Sequence, residues 1–455
     1  MKNIRLKDKA IIKATEVALS YLDKDPETNI PKLMEWWKRI DRSETSASKQ
    51  KLIQEIVDNP EGNNWYQLVM SLWDDVDTEV RKTLFKNFVI NAFLVWQRVK
   101  QESIEEHDCN IPWAILMDPT SACNLTCIGC WAADYGQQMN MSYETLDSFI
   151  EQGKELGTYM YIFSGGEPLV RKKDIIKLCE KHDDCVFLAF TNGTLIDEKF
   201  ADEMLRVKNF VPAISIEGFE EATDARRGEG TFGKVLNAME ILKENKLPFG
   251  ASCCYTSENT EDIASEEFID ALVDWGCKFA WFFTYMPVGV NAVPDLLARP
   301  DQRELMYHSI REYRNTKPIF TIDFWNDGEY VNGCIAGAKY YLHINANGDI
   351  EPCAFIHYSD SNIHEKTLLE AYQSPLFQAY RKNQPFNDNL LRPCPLLDNE
   401  GALTNMVESS GAYSTDMESP EDVRDLSAKT VDIIHAWEPV ADKLWQESQK
   451  AKISK

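Results

Sequence analysis

At 455 residues the chain exceeds one ordinary domain and suits two or three. Its 48 Lys and Arg against 73 Asp and Glu leave a formal net charge of −25. Such a surface repels nucleic-acid phosphate and anionic lipid at long range, so a general nucleic-acid binder is excluded. The opening "MKNIRLKDKA" is charged and lacks the apolar core of a signal peptide. No run of eighteen apolar residues offers a membrane span. The 12 cysteines therefore point to a reducing cytoplasm and to metal or thiol chemistry, not to a disulfide scaffold.

Residues 1–108 read as an all-helical domain with candidate helices Lys7–Leu22, Pro31–Ile40, Ser46–Val57 and a long one over Thr78–Glu102, separated by breakers such as "DNPEGNN". Arg81 to Lys100 carries five basic residues and no acid. With Leu84, Phe85, Phe88, Val89, Phe93, Val95 and Trp96 it has a wide apolar surface. Two readings stand: peripheral contact with a membrane or a lipid-like substrate, or a core helix whose cations pair with the acidic body. The width of the apolar face favours the second.

From Trp113 the texture changes. The short apolar runs "WAILMD", "YMYIF", "CVFLAF", "FVPAISI", "FGASCCY" and "KFAWFF" alternate with helical patterns, the beat of βα units on a parallel sheet. Ser142 is placed to cap one helix and Gly157 to end it. Six such units predict an α/β fold that either closes partly into a barrel or stays an open twisted sheet. The rhythm breaks after about residue 318. "KYYLHINANGDIEPC" alternates around Asn347-Gly348, a hairpin signal, and helical stretches follow at Leu368–Lys382 and near Val423–Gln449. The predicted division is 1–108, 109–317, 318–400 and 401–455.

The chemistry concentrates in "CNLTCIGCWAADYG", where Cys123, Cys127 and Cys130 follow the first predicted strand. A loop at the C-terminal end of a parallel strand is where such folds place active sites. A closed zinc site or an electron-carrying cubane wants four protein ligands. Three thiolates on a cubane leave one iron open to a substrate or cofactor. A zinc site completed from elsewhere, or unmetallated thiols, remain the alternatives on spacing alone. The next strand ends in "FSGGEPL", where two glycines permit close approach of the backbone and Glu167 offers a carboxylate.

Together these segments resemble the radical S-adenosylmethionine (radical SAM) superfamily over about residues 113–290, and more loosely to about 400. The resemblance implies a partial (β/α)6 barrel with a [4Fe–4S] cluster on Cys123, Cys127 and Cys130. It places Ser164, Gly165, Gly166 and Glu167 at the methionine amino group of S-adenosylmethionine and Thr191 and Asn192 of "FTNGTLI" on the cofactor side. Ser215 of "ISIEG" and Arg227 of "ARRGEGTF" face the cofactor carboxylate, and "MPVG" lies near the adenosine. The family usually has an aromatic residue just before the third cysteine; this chain has Gly129 there, and Trp131 just beyond. The implied activity is reductive cleavage of S-adenosylmethionine and hydrogen abstraction by a 5′-deoxyadenosyl radical, fed by a flavodoxin or ferredoxin. The substrate class is open between a peptide or protein and a lipid-like molecule. A non-catalytic iron–sulfur or zinc protein is the alternative of a different class.

Cys334, Cys353 and Cys394 fit no common zinc-finger spacing. Their segment resembles the SPASM/Twitch auxiliary-cluster domains, which implies a small α+β unit with a second [4Fe–4S] cluster. A Cys3His zinc site using His343 or His357 is the competing assignment. On the fifth strand Cys253 and Cys254 are adjacent, so one of them points inward. Cys109, Cys179, Cys185 and Cys277 read as buried thiols.

Overall fold

The computed structural model describes residues 6–40, 44–289 and 292–453. Its N-terminal part is helical as expected: Leu6–Leu22, Pro26–Ile40, Glu44–Asp58, Asn64–Asp74 and a continuous run from Thr78 to His107. The helix Asn64–Asp74 falls where only breakers were read. Asn63 is the reason, because its side chain accepts the Tyr66 N–H and caps the helix instead of extending the loop. The centre of the long run, Lys86–Val95, is wound as a π-helix. There Asn87 donates to the carbonyls of Asp183 (2.7 Å) and Cys185 (2.9 Å), and Asn91 to that of Asp184 (2.8 Å), pinning the run to the α/β body. The basic residues turn to protein partners. Arg81 pairs with Asp23 at 3.0 Å, Arg98 with Glu102 at 2.9 Å, and Lys100 donates to the Lys339 carbonyl at 3.0 Å. The side chains of Phe93, Val95 and Trp96 lie outside the described residues. Among the described residues no helix is long and apolar enough to cross a membrane.

The α/β body is a sheet of parallel strands: β1 Ala114–Met117, β2 Met160–Phe163, β3 Val186–Thr191, β4 Phe210–Ser215, β5 Gly250–Tyr255, β6 Phe279–Thr284 and β7 Phe320–Asp323. The β2 to β7 strands follow one another outward from β1, each parallel to the last. Six units were expected; β7 adds a seventh just past residue 317. On the other side of β1 lies β8 (Tyr341–Ile344), also parallel, which turns at Asn347-Gly348 into the antiparallel β9 (Ile350–Glu351). The hairpin signal is thus realised, and Gly348 supplies the φ of +89° that the turn needs. Among the described residues no ladder joins β7 to β9, so the sheet is a partial barrel.

Alternation gives each strand two environments. Ile115, Met117, Tyr161, Phe163 and Phe187 are buried under the helices of the convex side, including Tyr143–Leu156, which Ser142 caps and Gly157 ends in the left-handed conformation. Ala114, Leu116, Met160, Ile162 and Leu188 face the concave side, as does Tyr341. Higher on the concave wall the strands open. In β5 and β6 the outward residues are buried, while Ser252, Cys254, Trp281 and Phe283 remain half-buried. The C-terminal part differs from expectation in detail. One predicted helix becomes Leu368–Tyr372 and Pro375–Asn383, because Pro375 starts a new helix that Ser374 caps. An unforeseen helix forms at Ala402–Ser410, and the last stretch divides into Val423–Ala428 and Val431–Ile453.

β1 and the β8–β9 hairpin are locked by charge as well as by backbone pairing. His343 is wholly buried between Asp118 (Nε2 to Oδ2, 2.9 Å) and Glu351 (Nδ1 to Oε2, 2.6 Å). Burial opposes a charged ring, but the two carboxylates win and carry its pKa up to about 10. Replacing His343 with Gln leaves two buried acids without their cation, which should cost about 3–5 kcal/mol. That loss is read as a lower urea midpoint. A raised folded-state pKa stabilises fully below the ordinary value of 6.5 and is lost as pH rises towards about 10. The urea midpoint of the unaltered protein should fall over that window, and the share owed to His343 should vanish in the His343→Gln variant.

Candidate active site

The loop after β1 is built against the loop after β2. The amide N–H of Gly166 donates to the Thr120 carbonyl (3.0 Å) and that of Glu167 to the Ala122 carbonyl (2.8 Å). A Cβ on Gly166 would stand 2.2 Å from the Ala122 oxygen, so the crossing needs glycine there, and Gly165 holds a φ of +100° beside it. Ser164 donates to Asp118 at 2.7 Å, so the first strand's acid is shared between this motif and His343.

Glu167 is buried and already busy. Its Oε1 accepts the Leu169 N–H (2.9 Å) and the Thr191 hydroxyl (2.7 Å), and its Oε2 accepts the Asn192 N–H (2.7 Å). Burial raises its pKa against the pull of these donors. The carboxylate thereby ties the ends of β2 and β3 together. Asn192 in turn donates to Asn124 (2.8 Å), and Asn124 to Thr194 (2.8 Å), which fastens the cysteine loop to β3. Ser164, Thr191 and Asn192 thus converge on the site as expected, with their side chains engaged in holding its walls.

The third wall comes from β4 and the helix Glu220–Arg227. Glu217, fully buried, pairs with Arg226 (2.7 Å) and with Arg227, and accepts the Cys254 N–H at 2.9 Å. Arg227 reaches to 3.9 Å from the Cys127 sulfur. Arg226 clamps the loop through its backbone, as its carbonyl accepts the Ile128 N–H at 2.9 Å. Glu217 and Arg226 have no role in the sequence reading; the signal for them is two adjacent arginines nine and ten residues after an acid just past β4. Ser215 ends β4 on the half-buried concave side, and Cys254 shares that side, whereas Cys253 is buried in the convex core. The aromatic ring at Gly129 is Tyr285, not Trp131. A Cβ on Gly129 would lie 2.6 Å from the Tyr285 ring, while Trp131 turns away to His343 (5.5 Å), Phe355 (5.9 Å) and His357 (6.2 Å).

The later cysteines also meet. Cys334, Cys353 and Cys394 line one cavity with Met286, Phe324, Trp325, Phe355 and Tyr380. Tyr341 holds Cys353, hydroxyl to sulfur, at 2.7 Å. The Cys394 N–H donates to Asp398 (2.9 Å), which pairs with buried Arg303 (2.8 Å), whose guanidinium lies 4.1 Å over the Trp437 ring. Burial pushes the thiols up, Cys123 to about 11 and Cys353 to about 12. The Cys3His zinc assignment is corrected: His343 is taken by Asp118 and Glu351, and His357 by Asp416 and the Ala354 carbonyl. Neither imidazole lines the cavity.

Spacing tests what the thiols hold. Around one zinc, bonds of about 2.3 Å bring sulfurs to within roughly 4 Å of each other. Neither cysteine triad, among the described residues, gathers its three sulfurs within 4.8 Å; only Asp147, Glu151 and His182 do so with their ligand atoms, and there Lys181 sits on Asp147 at 2.6 Å. Thiolates bound to separate irons of a cubane stand farther apart, and three cysteines are the donors such a cluster takes.

Comparison with known proteins agrees with this geometry. The Radical SAM superfamily profile matches residues 117–269, and the SPASM profile, an iron–sulfur cluster-binding domain, matches residues 334–395. A cysteine-type anaerobic sulfatase-maturating enzyme of Clostridium perfringens is 30% identical over 312 residues, 58% of this chain and 80% of the relative. An AdoMet-dependent heme synthase of Methanosarcina barkeri is 23% identical over 303 residues, 60% of this chain and 85% of the relative. In fold, Streptococcus suis SuiB bound to its precursor peptide SuiA aligns with a TM-score of 0.54 at 21% identity, covering 65% of this chain and 74% of SuiB. The chain belongs to the radical SAM superfamily, whose cofactors are a [4Fe–4S] cluster and S-adenosylmethionine, and carries a C-terminal SPASM domain for auxiliary iron–sulfur chemistry.

Proposed function

We propose that the protein cleaves S-adenosylmethionine reductively at a cluster held by Cys123, Cys127 and Cys130 and removes a hydrogen atom from a peptide or protein substrate. When bound, the cluster and the sulfonium supply one electron and a 5′-deoxyadenosyl radical, with a flavodoxin or ferredoxin as the electron source. The chain's own residues orient and enclose. Glu217 fixes the Arg227 guanidinium beside Cys127, where its fork suits a carboxylate. Each carboxylate oxygen accepts about two hydrogen bonds. Oε1 of Glu167 has both, and Oε2 has one, so Oε2 keeps a place for an ammonium group. Ser164, through Asp118, fixes the glycine turn against the first loop.

The observation that carries the reading is the aromatic wall that runs between the two cysteine sites. Trp131, next to Cys130, meets Phe355, two residues after Cys353, at 5.9 Å. Between them and the far wall the half-buried rings of Phe190, Trp281, Phe283 and Phe324 line the concave side. Phe190 and Trp281 lie 5.2 Å apart, and Phe283 and Phe324 also 5.2 Å. Half-buried rings inside a barrel border a space that admits a substrate from the mouth. The names of the Clostridium maturating enzyme and of the peptide-bound SuiB favour a peptide occupant. The lipid-like alternative loses support from the pairing of Arg81 and Lys100 with the protein body.

Anaerobic incubation of cluster-loaded protein with S-adenosylmethionine and dithionite should accumulate 5′-deoxyadenosine; if none forms, a non-catalytic iron–sulfur role replaces this one. The unaltered protein should bind about eight irons. Cys→Ala changes confined to either triad should leave about four by colorimetric iron analysis. Arg227→Lys should keep the iron content and weaken S-adenosylmethionine binding about tenfold, about 1.4 kcal/mol, in anaerobic calorimetry, because an ammonium cannot reproduce the guanidinium fork.

A further inference from the structure

Buried polar groups in folded proteins have partners, and one without a partner costs about 1–3 kcal/mol. Tyr380 has such a group. It stands on the helix Pro375–Asn383 and its side chain is fully buried. Its hydroxyl has no hydrogen-bond partner in the protein. The ring is firmly seated: Phe386 meets it edge-on at 5.6 Å, and Gly337 makes room, since a Cβ there would stand 2.5 Å from that of Tyr380. Tyr380 lines the same cavity as Cys334, Cys353 and Cys394. The rest of the lining is apolar or backbone, with no second polar side chain to receive the proton.

We propose that the Tyr380 hydroxyl is a hydrogen-bond donor to the auxiliary iron–sulfur cluster held by Cys334, Cys353 and Cys394, and that it raises that cluster's reduction potential. The inference rests on the presence of that auxiliary cluster. Its physical content is simple. Reduction adds negative charge to the cluster, and a donor aimed at its sulfurs stabilises the reduced form. A phenol is protonated at neutral pH, so the group has a proton to donate. Tyr341 is differently employed, because its hydroxyl already meets the Cys353 sulfur at 2.7 Å. Tyr372 serves as an internal control: it is also buried with an unpartnered hydroxyl, but outside this cavity.

The test is a redox titration of the full-length, doubly loaded protein, followed by electron paramagnetic resonance. Iron is counted in every sample. In Tyr380→Phe, which removes one oxygen, one of the two midpoint potentials should move to more negative values while the other stays, with about eight irons retained. Tyr372→Phe should move neither. Placing 3-fluorotyrosine at position 380 strengthens the donor and should shift the same midpoint the opposite way, a readout that stands even if Tyr380→Phe loads poorly. Unchanged potentials in both position-380 proteins overturn the inference. A visible phenolate-to-iron charge-transfer band that disappears in Tyr380→Phe also overturns it, since it would make Tyr380 a ligand. About four irons in the unaltered protein would instead remove the auxiliary cluster itself, a different failure from that of the donor.

Discussion

A single imidazolium holds the two halves of this protein in register. His343 lies in β8, Asp118 ends β1 and Glu351 belongs to β9, and all three are sealed from water. An ion triad so buried is poor glue relative to a hydrophobic replacement, but it is intolerant of misalignment, because any slip leaves an unpaired charge in a dry interior. Asp118 also receives Ser164, and Glu351 also receives Tyr135 and Thr415. The cofactor-side glycine turn, the first cysteine loop and the auxiliary unit are therefore referenced to one fixed point. The placement of β8 directly beside β1 makes this possible.

Around that point the site is assembled from carboxylates whose main occupation is structural. Glu167 joins β2 to β3, and Glu217 joins β4, β5 and the arginine pair. Each spends its lone pairs on protein donors and leaves little for a ligand. Preorganisation of this kind removes the cost of arranging the walls when a cofactor arrives. Tyr285, from the segment after β6, packs so closely on Gly129 of the cysteine loop that a Cβ there would not fit.

Local signals in the sequence were faithful and non-local ones silent. The two glycines before Glu167, the Ser142 and Gly157 helix ends and the Asn347-Gly348 turn each concern a few neighbouring residues, and each appears as read. What the sequence could not show is who sits beside whom across hundreds of positions. His343 and His357 looked like candidate metal ligands because a histidine near cysteines gives no hint of the acids that will claim it. Nor does the sequence show that Tyr285 packs against Gly129, because the two are far apart in the chain. The helix Asn64–Asp74 was hidden for a smaller reason, that one asparagine can serve as a breaker or as a cap.

The support of Cys394 has a consequence for how the molecule comes into being. Its backbone is steadied by Asp398, Asp398 by Arg303, and Arg303 by the ring of Trp437 near the far end of the chain. In synthesis Cys123, Cys127 and Cys130 come early, whereas Cys394 gains this support only after Trp437 has been made. The two triads therefore draw their support from segments of the chain that are made at different times.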